Sequence, residues 1–282
     1  MTDETGPVKA GWFADGAPGA LDAAAKAIIE GGAERPQDWP RLAIEAGYVD
    51  SESEYYGWLH EAATHATREA VTERERADDQ QLVHAVRAMD DLERTANELA
   101  ERLAEWAGSL FADAGTGVDY ARRLATRDPA DPIEERAVSL ARRVVELADE
   151  EDDLRAFVER STPQVAPNLA DMAGPVLAAR LISLAGGLEQ LAKMPSGTVQ
   201  VLGAEDALFA HLRGRGPSPK HGIIFTHEYV RATARDERGS AARALAGKLA
   251  IAARVDHYSG ERKPELAREL DERIARIRGR SA

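Results

Sequence analysis

The sequence predicts a mainly α-helical protein in three parts: a small N-terminal α/β domain, a long antiparallel helical coiled-coil hairpin and an all-helical C-terminal domain. Three observations support this prediction. Alanine, arginine, glutamate and leucine, which are strong helix formers, dominate the chain, and aromatic residues make up only 5% of it. Apolar residues recur at heptad spacing in the middle of the chain. Glycine and proline then interrupt a region rich in small residues.

Residues 1–77 are predicted to form the small N-terminal domain. Gly11-Trp12-Phe13 is interpreted as a short apolar strand between turn residues. Helices are predicted over 20–31, 38–46 and 55–71. Aromatic residues are concentrated here, at Trp12, Trp39, Tyr48, Tyr55, Tyr56 and Trp58. These side chains either form the core of the domain, which is the preferred interpretation, or offer a docking surface to another protein.

Residues 78–162 are predicted to form a coiled-coil arm. Apolar residues at heptad positions over 82–110 predict a helix of roughly 43 Å at about 1.5 Å per residue. A glycine-containing break at 112–118 separates it from a second helix at 133–160, whose apolar seam is interrupted by Glu151. Two such helices predict an antiparallel hairpin, which packs on the chain's own globular part or pairs with a second copy. The residues assigned to dimerisation are Leu82, Met89, Leu92, Leu99, Leu103, Trp106, Leu140, Val144 and Leu147.

Residues 163–262 are predicted to form the helical C-terminal domain, followed by a charged helix and basic tail at 263–282. Within the two segments, helices are predicted over 168–191, 203–212, 227–233, 239–258 and 264–276.

Residues 213–222 must form a loop, because glycine and proline recur through this segment. The same segment carries Arg213, Arg215, Lys220 and His221. A loop stiffened in this way holds its donors in place, which lowers the ordering cost of contact with an anion such as phosphate.

The net charge of −13 is unevenly distributed along the chain. Residues 160–262 contain 13 basic and 9 acidic residues, a net charge of +4, and residues 263–282 add +2, so the first 159 residues carry −19. A basic back half behind an acidic front indicates that the back half meets an anion. An acidic excess with only 6 lysines against 30 arginines is typical of proteins that work in high salt, although a GC-rich genome gives the same arginine bias.

Several enzyme classes find no counterpart in the sequence. The chain has no cysteine, which excludes disulfides, thiol catalysis and cysteine-ligated zinc. His60 and His65 are five residues apart, whereas the His-Glu-x-x-His zinc motif needs four. The glycine-rich segments lack the context of a dinucleotide-binding turn or a P-loop. We predict no catalytic residue, metal or cofactor. Neither a membrane span nor a secretory leader is predicted, so a cytoplasmic location is expected.

A run of short motifs between residues 168 and 256 keeps a definite order and spacing. They are Asn168-Leu169, Ala173-Gly174, Ala179-Arg180-Leu181-Ile182-Ser183, Thr198-Val199-Gln200-Val201-Leu202-Gly203-Ala204-Glu205, Ala207-Leu208-Phe209, Pro219-Lys220-His221-Gly222-Ile223-Ile224-Phe225 and Leu249-Ala250-Ile251-Ala252-Ala253-Arg254-Val255-Asp256. In these motifs the region resembles the Nop domain of box C/D guide-RNA scaffold proteins and of a spliceosomal relative. The lack of long low-complexity tails favours an archaeal member, and the composition favours a haloarchaeal one.

This resemblance implies a non-enzymatic scaffold. The N-terminal region would dock the methyltransferase fibrillarin, the coiled coil would pair two copies, and the Nop domain would hold a box C/D guide RNA at its kink-turn, together with the ribosomal-protein-like protein that binds the kink-turn. Fibrillarin would then methylate the 2′-oxygen of a target ribose in rRNA or tRNA. The alternatives are an RNA-bridging factor of the spliceosomal kind without a methyltransferase, and a coiled-coil adaptor.

The resemblance also implies which residues meet RNA or protein. The assigned residues are Lys193, Gln200, Gly203, Ala204, Glu205, Arg213, Arg215, Lys220, His221, Arg243, Lys248 and Arg254. A structural role is favoured for Arg180 and Asp256. It is also favoured for Gly203, which is at the same time one of the assigned residues. Asp206 stands where the family usually has lysine, which weakens the phosphate contact expected at that position.

Overall fold

The computed structural model describes residues 11–13, 20–31 and 37–280, and its contacts divide the chain into two units, Met1–Ala77 and Asp78–Ala282. The first unit contains helices α1 (Leu21–Glu30), α2 (Trp39–Glu45) and α3 (Glu52–Arg76). Helix α3 begins after Ser51, whose hydroxyl oxygen accepts a hydrogen bond from the backbone N–H of Glu54 at 3.2 Å.

The strand predicted at Gly11-Trp12-Phe13 is wrong, because this tripeptide forms a turn and the described residues of the unit contain only helices besides turns. The aromatic side chains explain the difference. Trp12 Nε1 donates to the Tyr55 hydroxyl at 3.0 Å, and Phe13 is 3% exposed against α3. Two aromatic residues that anchor on a helix satisfy the apolar pattern without a partner strand. The prediction of a mainly α-helical chain is confirmed, and the predicted N-terminal α/β domain is corrected.

The second unit begins with a helical hairpin formed by α4 (Asp78–Ala107), α5 (Gly117–Ala125) and α6 (Pro132–Val165). The two long helices run antiparallel, since Leu103 shares a cluster with Ala137 at one end and Leu82 shares another with Val158 at the opposite end. Helix α5 was not predicted. Its apolar face closes the end of the hairpin, where Leu124 is buried.

Glu151 is the interruption in the apolar seam of α6. Its side chain is only 12% exposed and its Oε1 lies 2.6 Å from Arg155 Nη2. Replacing a nearly buried, paired carboxylate by a well-packed apolar residue is often neutral or stabilising. We expect Glu151→Leu to raise the free energy of unfolding by about 1 kcal/mol, measured by urea denaturation. A loss of stability of similar size would show that the Glu151–Arg155 ion pair stabilises the fold more than an apolar side chain packed at this position does.

The remainder of the second unit is a bundle around one long central helix. Its elements are α7 (Pro167–Ala173), α8 (Pro175–Ala185), α9 (Leu188–Lys193), α10 (Ser196–Val201), α11 (Glu205–Leu212), a 3₁₀ turn (Ile223–Thr226), α12 (Glu228–Arg231), α13 (Arg238–Tyr258) and α14 (Glu265–Arg278). Helix α13 lies at the centre because its alanines are buried and let α7, α9, α10, α12 and α14 approach closely. Helix α10 was not predicted.

The single helix predicted over 168–191 is instead three helices, α7 to α9. Gly174 and Pro175 end the first and begin the second, because proline has no N–H to continue a helix. Gly186 adopts the left-handed conformation, with φ of 85°, and closes α8 by donating its N–H to the carbonyl groups of Ile182 and Ser183. These breaks turn the chain around the buried face of α13.

Asp256 joins α13 to the start of α7. Its carboxylate accepts hydrogen bonds from the backbone N–H groups of Asn168 and Leu169 and from the Asn168 side chain, at 2.6–3.0 Å. Asn168 Oδ1 in turn accepts from the N–H of Lys263, just before α14. Burial raises the pKa of Asp256, and the N–H donors oppose that rise. One buried carboxylate therefore fixes three segments that are far apart in sequence.

The base of the hairpin is part of the same core as the bundle. Leu82 and Val86 of α4 belong to the same buried cluster as residues of α8 and α13, and α4 contacts α8 directly. Asp79 Oδ2 accepts from the N–H of Leu188 at 2.9 Å, and Arg180 of α8 donates to Asp90 of α4. The hairpin and the bundle consequently form one body. None of the helices in the described ranges is long and apolar enough to cross a membrane.

Candidate nucleic-acid interface

The segment from residue 220 to 223 lies in extended backbone contact with the end of α10. The N–H of Gly222 donates to the carbonyl of Gln200, and the N–H of Ile223 donates to the carbonyl of Leu202, both at 2.8 Å. Gln200 Nε2 also donates to the carbonyl of Lys220 at 2.7 Å. Side chains predicted from two separate motifs are therefore held in one structure, which we call the docked loop (residues 200–205 and 220–223).

Gly222 makes this contact possible. A Cβ atom on Gly222 would lie 2.0 Å from the carbonyl oxygen of Leu202 and 2.6 Å from the carbonyl carbon of Val201. Both neighbours are backbone atoms, so no side chain can move to make room. Only glycine permits this close approach.

Gly203, Ala204 and Glu205 form the turn that leads into α11. Gly203 has a φ of +81°, which favours glycine, and its N–H donates to Glu205 Oε1 at 2.8 Å. Glu205 and Asp206 both lie in the first turn of α11, where a negative side chain complements the helix dipole. This placement gives a physical reason for an acidic Asp206.

Lys220 and His221 are presented next to the start of α13. The Lys220 side chain runs past Gly239, with its Cδ 3.9 Å from where a Cβ of Gly239 would stand. The His221 ring stacks on Phe225 with centroids 4.6 Å apart, and the Arg238 guanidinium lies 5.5 Å from the Phe225 centroid. Burial lowers the pKa of His221, and the charges of Arg238 and Lys220 act in the same direction.

Arg213 and Arg215 are exposed in the turn that follows α11. Helix α11 buries none of its residues, and its Phe209 and Leu212 are 53% and 70% exposed. Apolar side chains beside exposed arginines are typical of a surface that contacts a partner. Sequence reasoning missed Phe209 and Leu212, since their spacing is equally consistent with a core-facing helix.

Three of the predicted basic residues have partners within the chain. Lys193 Nζ lies 2.6 Å from Glu189 Oε1, and Lys248, which is 19% exposed, pairs with Glu269 of α14. Arg254 donates to the carbonyl groups at the end of α9, from Nε and Nη2 at 3.1 and 3.2 Å. Arg243, in contrast, is exposed on α13 one turn after Gly239. The partners of Lys248 and Arg254 come from other helices, so no local pattern indicates them, whereas Glu189 lies four residues before Lys193 on α9 itself.

The residues assigned to dimerisation are divided between the interior and the surface. Leu82, Met89, Leu103 and Val144 are at most 1% exposed within the chain's own second unit. A closed hairpin leaves these four no surface to share with a second copy. The remaining assigned residues are partly or more exposed, namely Leu92, Leu99, Trp106, Leu140 and Leu147.

The chain is similar to several known proteins. The model of the Nop family, described as "snoRNA binding domain, fibrillarin", matches residues 126–277. A NOP5 family protein of Methanocaldococcus jannaschii is 35% identical over 275 residues, which cover 84% of this chain and 66% of the relative. Nucleolar protein 56 of Schizosaccharomyces pombe is 40% identical over 144 residues, covering 50% of this chain and 29% of the relative. The chain thus spans less than two thirds of these relatives.

Among solved structures, a chain from the crystal structure of a fibrillarin/Nop5p complex is similar with a TM-score of 0.54 and 26% identity. The similarity covers 95% of this chain and 98% of that chain. It extends beyond the bundle to both units of the fold.

Proposed function

Because this chain belongs to the Nop family, as the match over residues 126–277 establishes, we propose that it is a non-catalytic scaffold of a box C/D ribonucleoprotein. In this proposal the second unit holds a kink-turn RNA together with the protein bound to it. Fibrillarin, held by the first unit, supplies the methyl-transfer chemistry for 2′-O-methylation of a ribose in rRNA or tRNA. In the same proposal the particle is archaeal, cytoplasmic and adapted to high salt, and the acidic excess with few lysines supports the salt adaptation.

The docked loop carries the RNA part of the proposal. It presents Lys220 and His221 from a backbone that three hydrogen bonds hold to the end of α10. A preorganised donor loses little conformational entropy when it meets a phosphate. Four basic residues of the predicted set are exposed and have no side-chain partner among the described residues, namely Arg213, Arg215, Lys220 and Arg243, and they are the first candidates for phosphate contact. Lys193, Lys248 and Arg254 would support the surface through their internal bonds.

Replacing Lys220 and Arg243 together by alanine should weaken binding to a preassembled complex of kink-turn RNA and its protein. Each contact with a charged group contributes about 1.5–3 kcal/mol, so the double variant should lose at least tenfold in affinity. The slope of log Kd against log salt should fall by about 2, or about 1 for each phosphate contact removed. Titrations at several salt concentrations measure both quantities.

The matched control is Lys263→Ala with Arg268→Ala, which removes one lysine and one arginine from the start of α14, away from the docked loop. An equal loss in control and test variants would assign the effect to net charge and contradict the site. RNA without the kink-turn protein is not an adequate probe, because the proposed surface is a composite of both.

Fibrillarin binding distinguishes the proposed scaffold from an RNA-bridging factor or a coiled-coil adaptor. The similarity to a chain solved together with fibrillarin supports it. Reconstitution with guide RNA, the kink-turn protein and fibrillarin should give ribose methylation that requires this chain. Assembly on RNA without fibrillarin recruitment would favour an RNA-bridging factor, and failure to bind the RNA complex at all would favour a coiled-coil adaptor. We also propose that two copies pair through the arm, by the seam residues that are at least partly exposed. Light scattering measures whether the chain is a dimer.

A further inference from the structure

Four arginines line one cleft between α13 and α14. The cleft has a volume of about 250 Å³ and is lined by Ser240, Arg243, Arg273, Arg276, Ile277 and Arg280. We call it the arginine cleft. None of these six lining residues is acidic, although acidic residues outnumber basic ones by 13 in the whole chain.

Several basic residues elsewhere in the second unit are paired with carboxylates. Arg262 donates to both oxygens of Asp171, Arg180 pairs with Asp90, and Lys248 pairs with Glu269. In the arginine cleft, the side-chain bond found is from Arg276 Nε to the carbonyl of Glu272 on its own helix. Four guanidinium groups that line one cleft repel one another, and a bound anion would offset that cost.

The helix dipole accounts for only part of this arrangement. Arg276 and Arg280 lie at the end of α14, where the negative end of the dipole stabilises cations. Ser240 lies in the first turn of α13, where the positive end of the dipole favours an anion, and Arg243 lies about one turn further on. The dipole of α14 therefore stabilises Arg276 and Arg280, whereas Arg243 receives no such stabilisation from its own helix.

The size and position of the cleft indicate the kind of anion. Pockets for small molecules usually enclose about 300–1,000 Å³, so this cleft is at the small end, and its size suits phosphate groups that pass over it. It is continuous with the docked loop along α13, since Gly239, beside Lys220, is followed directly by Ser240 and one turn later by Arg243. Guanidinium groups bind phosphate oxygens in a bidentate manner.

We propose that the arginine cleft binds the phosphodiester backbone of the RNA, as an extension of the surface that begins at Lys220. The inference rests on the proposed function for the identity of the RNA. It adds Arg273, Arg276 and Arg280, from the C-terminal helix, to the residues that contact it.

The test uses one double variant of the full chain, Arg273→Gln with Arg276→Gln, which we call the cleft variant. Its binding to the preassembled kink-turn RNA–protein complex is compared with that of the wild type. Both side chains are exposed, so the fold should be retained, and circular dichroism checks this. We expect the affinity to fall roughly tenfold or more and the salt slope to fall by about 2. Ethylation interference should show that the cleft variant loses phosphate contacts different from those that Lys220→Ala loses.

The control is Arg160→Gln with Arg268→Gln, which removes two exposed arginines of α6 and α14 outside the cleft. If the cleft variant and this control bind equally, the inference is overturned. It is also overturned if the cleft variant loses binding to the kink-turn protein without RNA, because the cleft would then hold an acidic protein surface, or if inorganic phosphate alone competes at millimolar concentration.

Failure of the proposed function has a different outcome. If wild type does not bind the kink-turn complex, a plain RNA duplex becomes the probe. Weaker, salt-dependent binding to the duplex that the cleft variant lacks would support the arginine cleft while the scaffold proposal fails. No binding to either RNA would overturn both.

Discussion

Replacing Asp256 by alanine is expected to lower the free energy of unfolding by about 3–5 kcal/mol, the largest stability change that we predict for a single residue. The carboxylate is the acceptor for the N–H groups of Asn168 and Leu169 and for the Asn168 side chain. Without it, buried donors lose their partner, and each unsatisfied group costs about 1–3 kcal/mol. The start of α7 would lose its fixed position against α13.

Thermal and urea denaturation of the full chain measure this effect. Asp256→Asn keeps the size and one acceptor oxygen, so we expect an intermediate loss of about 2 kcal/mol even if the alanine variant fails to fold. Asp236→Asn, an exposed carboxylate just before α13, is the control and should change stability little. Equal stability of Asp256→Asn and wild type would show that the hydrogen bonds from Asn168 and Leu169 to this carboxylate do not stabilise the fold.

Replacing Gly222 by alanine is expected to detach the docked loop and to lower the affinity for the kink-turn RNA–protein complex by more than tenfold. The added methyl group would overlap the carbonyl of Leu202, so the backbone must separate and the two bonds from Gly222 and Ile223 must break. Overpacking of this kind costs about 1–3 kcal/mol. Lys220 would then have to be ordered again on binding, which adds a cost absent from the wild type.

Gly216→Ala is the matched control, because a Cβ there would meet only the Ala210 Cβ at 4.0 Å. This variant should bind within about twofold of wild type. The two variants are compared in the same titration, and hydrogen exchange at the N–H of residues 222 and 223 reports detachment directly. Normal affinity together with rapid exchange in Gly222→Ala would mean that docking of the loop does not matter for binding.

Much of the helical architecture was predictable from local pattern. Heptad spacing predicted α4 and α6, and the Asp131-Pro132 pair at the start of α6 provides a cap and a first-turn proline, with Asp131 Oδ1 accepting from two N–H groups. The glycines that divide α7 to α9 were present in the sequence, but alanine and leucine around them gave an apparently continuous helical pattern. The predicted N-terminal strand failed because aromatic residues favour strands only where a partner strand exists.

The candidate site was predictable in part. Glycine and proline identified the loop at 213–222, and the arginines in it are exposed as expected. The loop is held in place by hydrogen bonds between residues about 20 apart, such as Gln200 and Lys220, and no local pattern indicates them. The same is true of the bonds that Lys248 makes with Glu269 and Arg254 makes with Ala192. The arginine cleft was missed because its residues come from two helices and appear in sequence as ordinary surface charges.

The shared core at the base of the hairpin makes the arm a lever. Helix α4 has 30 residues, about 45 Å at 1.5 Å per residue, and its first turns are locked into the bundle by Leu82 and Val86. At that length, one degree of rotation at the base moves the far end by roughly 0.8 Å. The bond between Arg180 and Asp90 restrains such rotation from outside the core. A partner bound at the far end would therefore be aligned with the bundle to within the angular play of a few buried side chains.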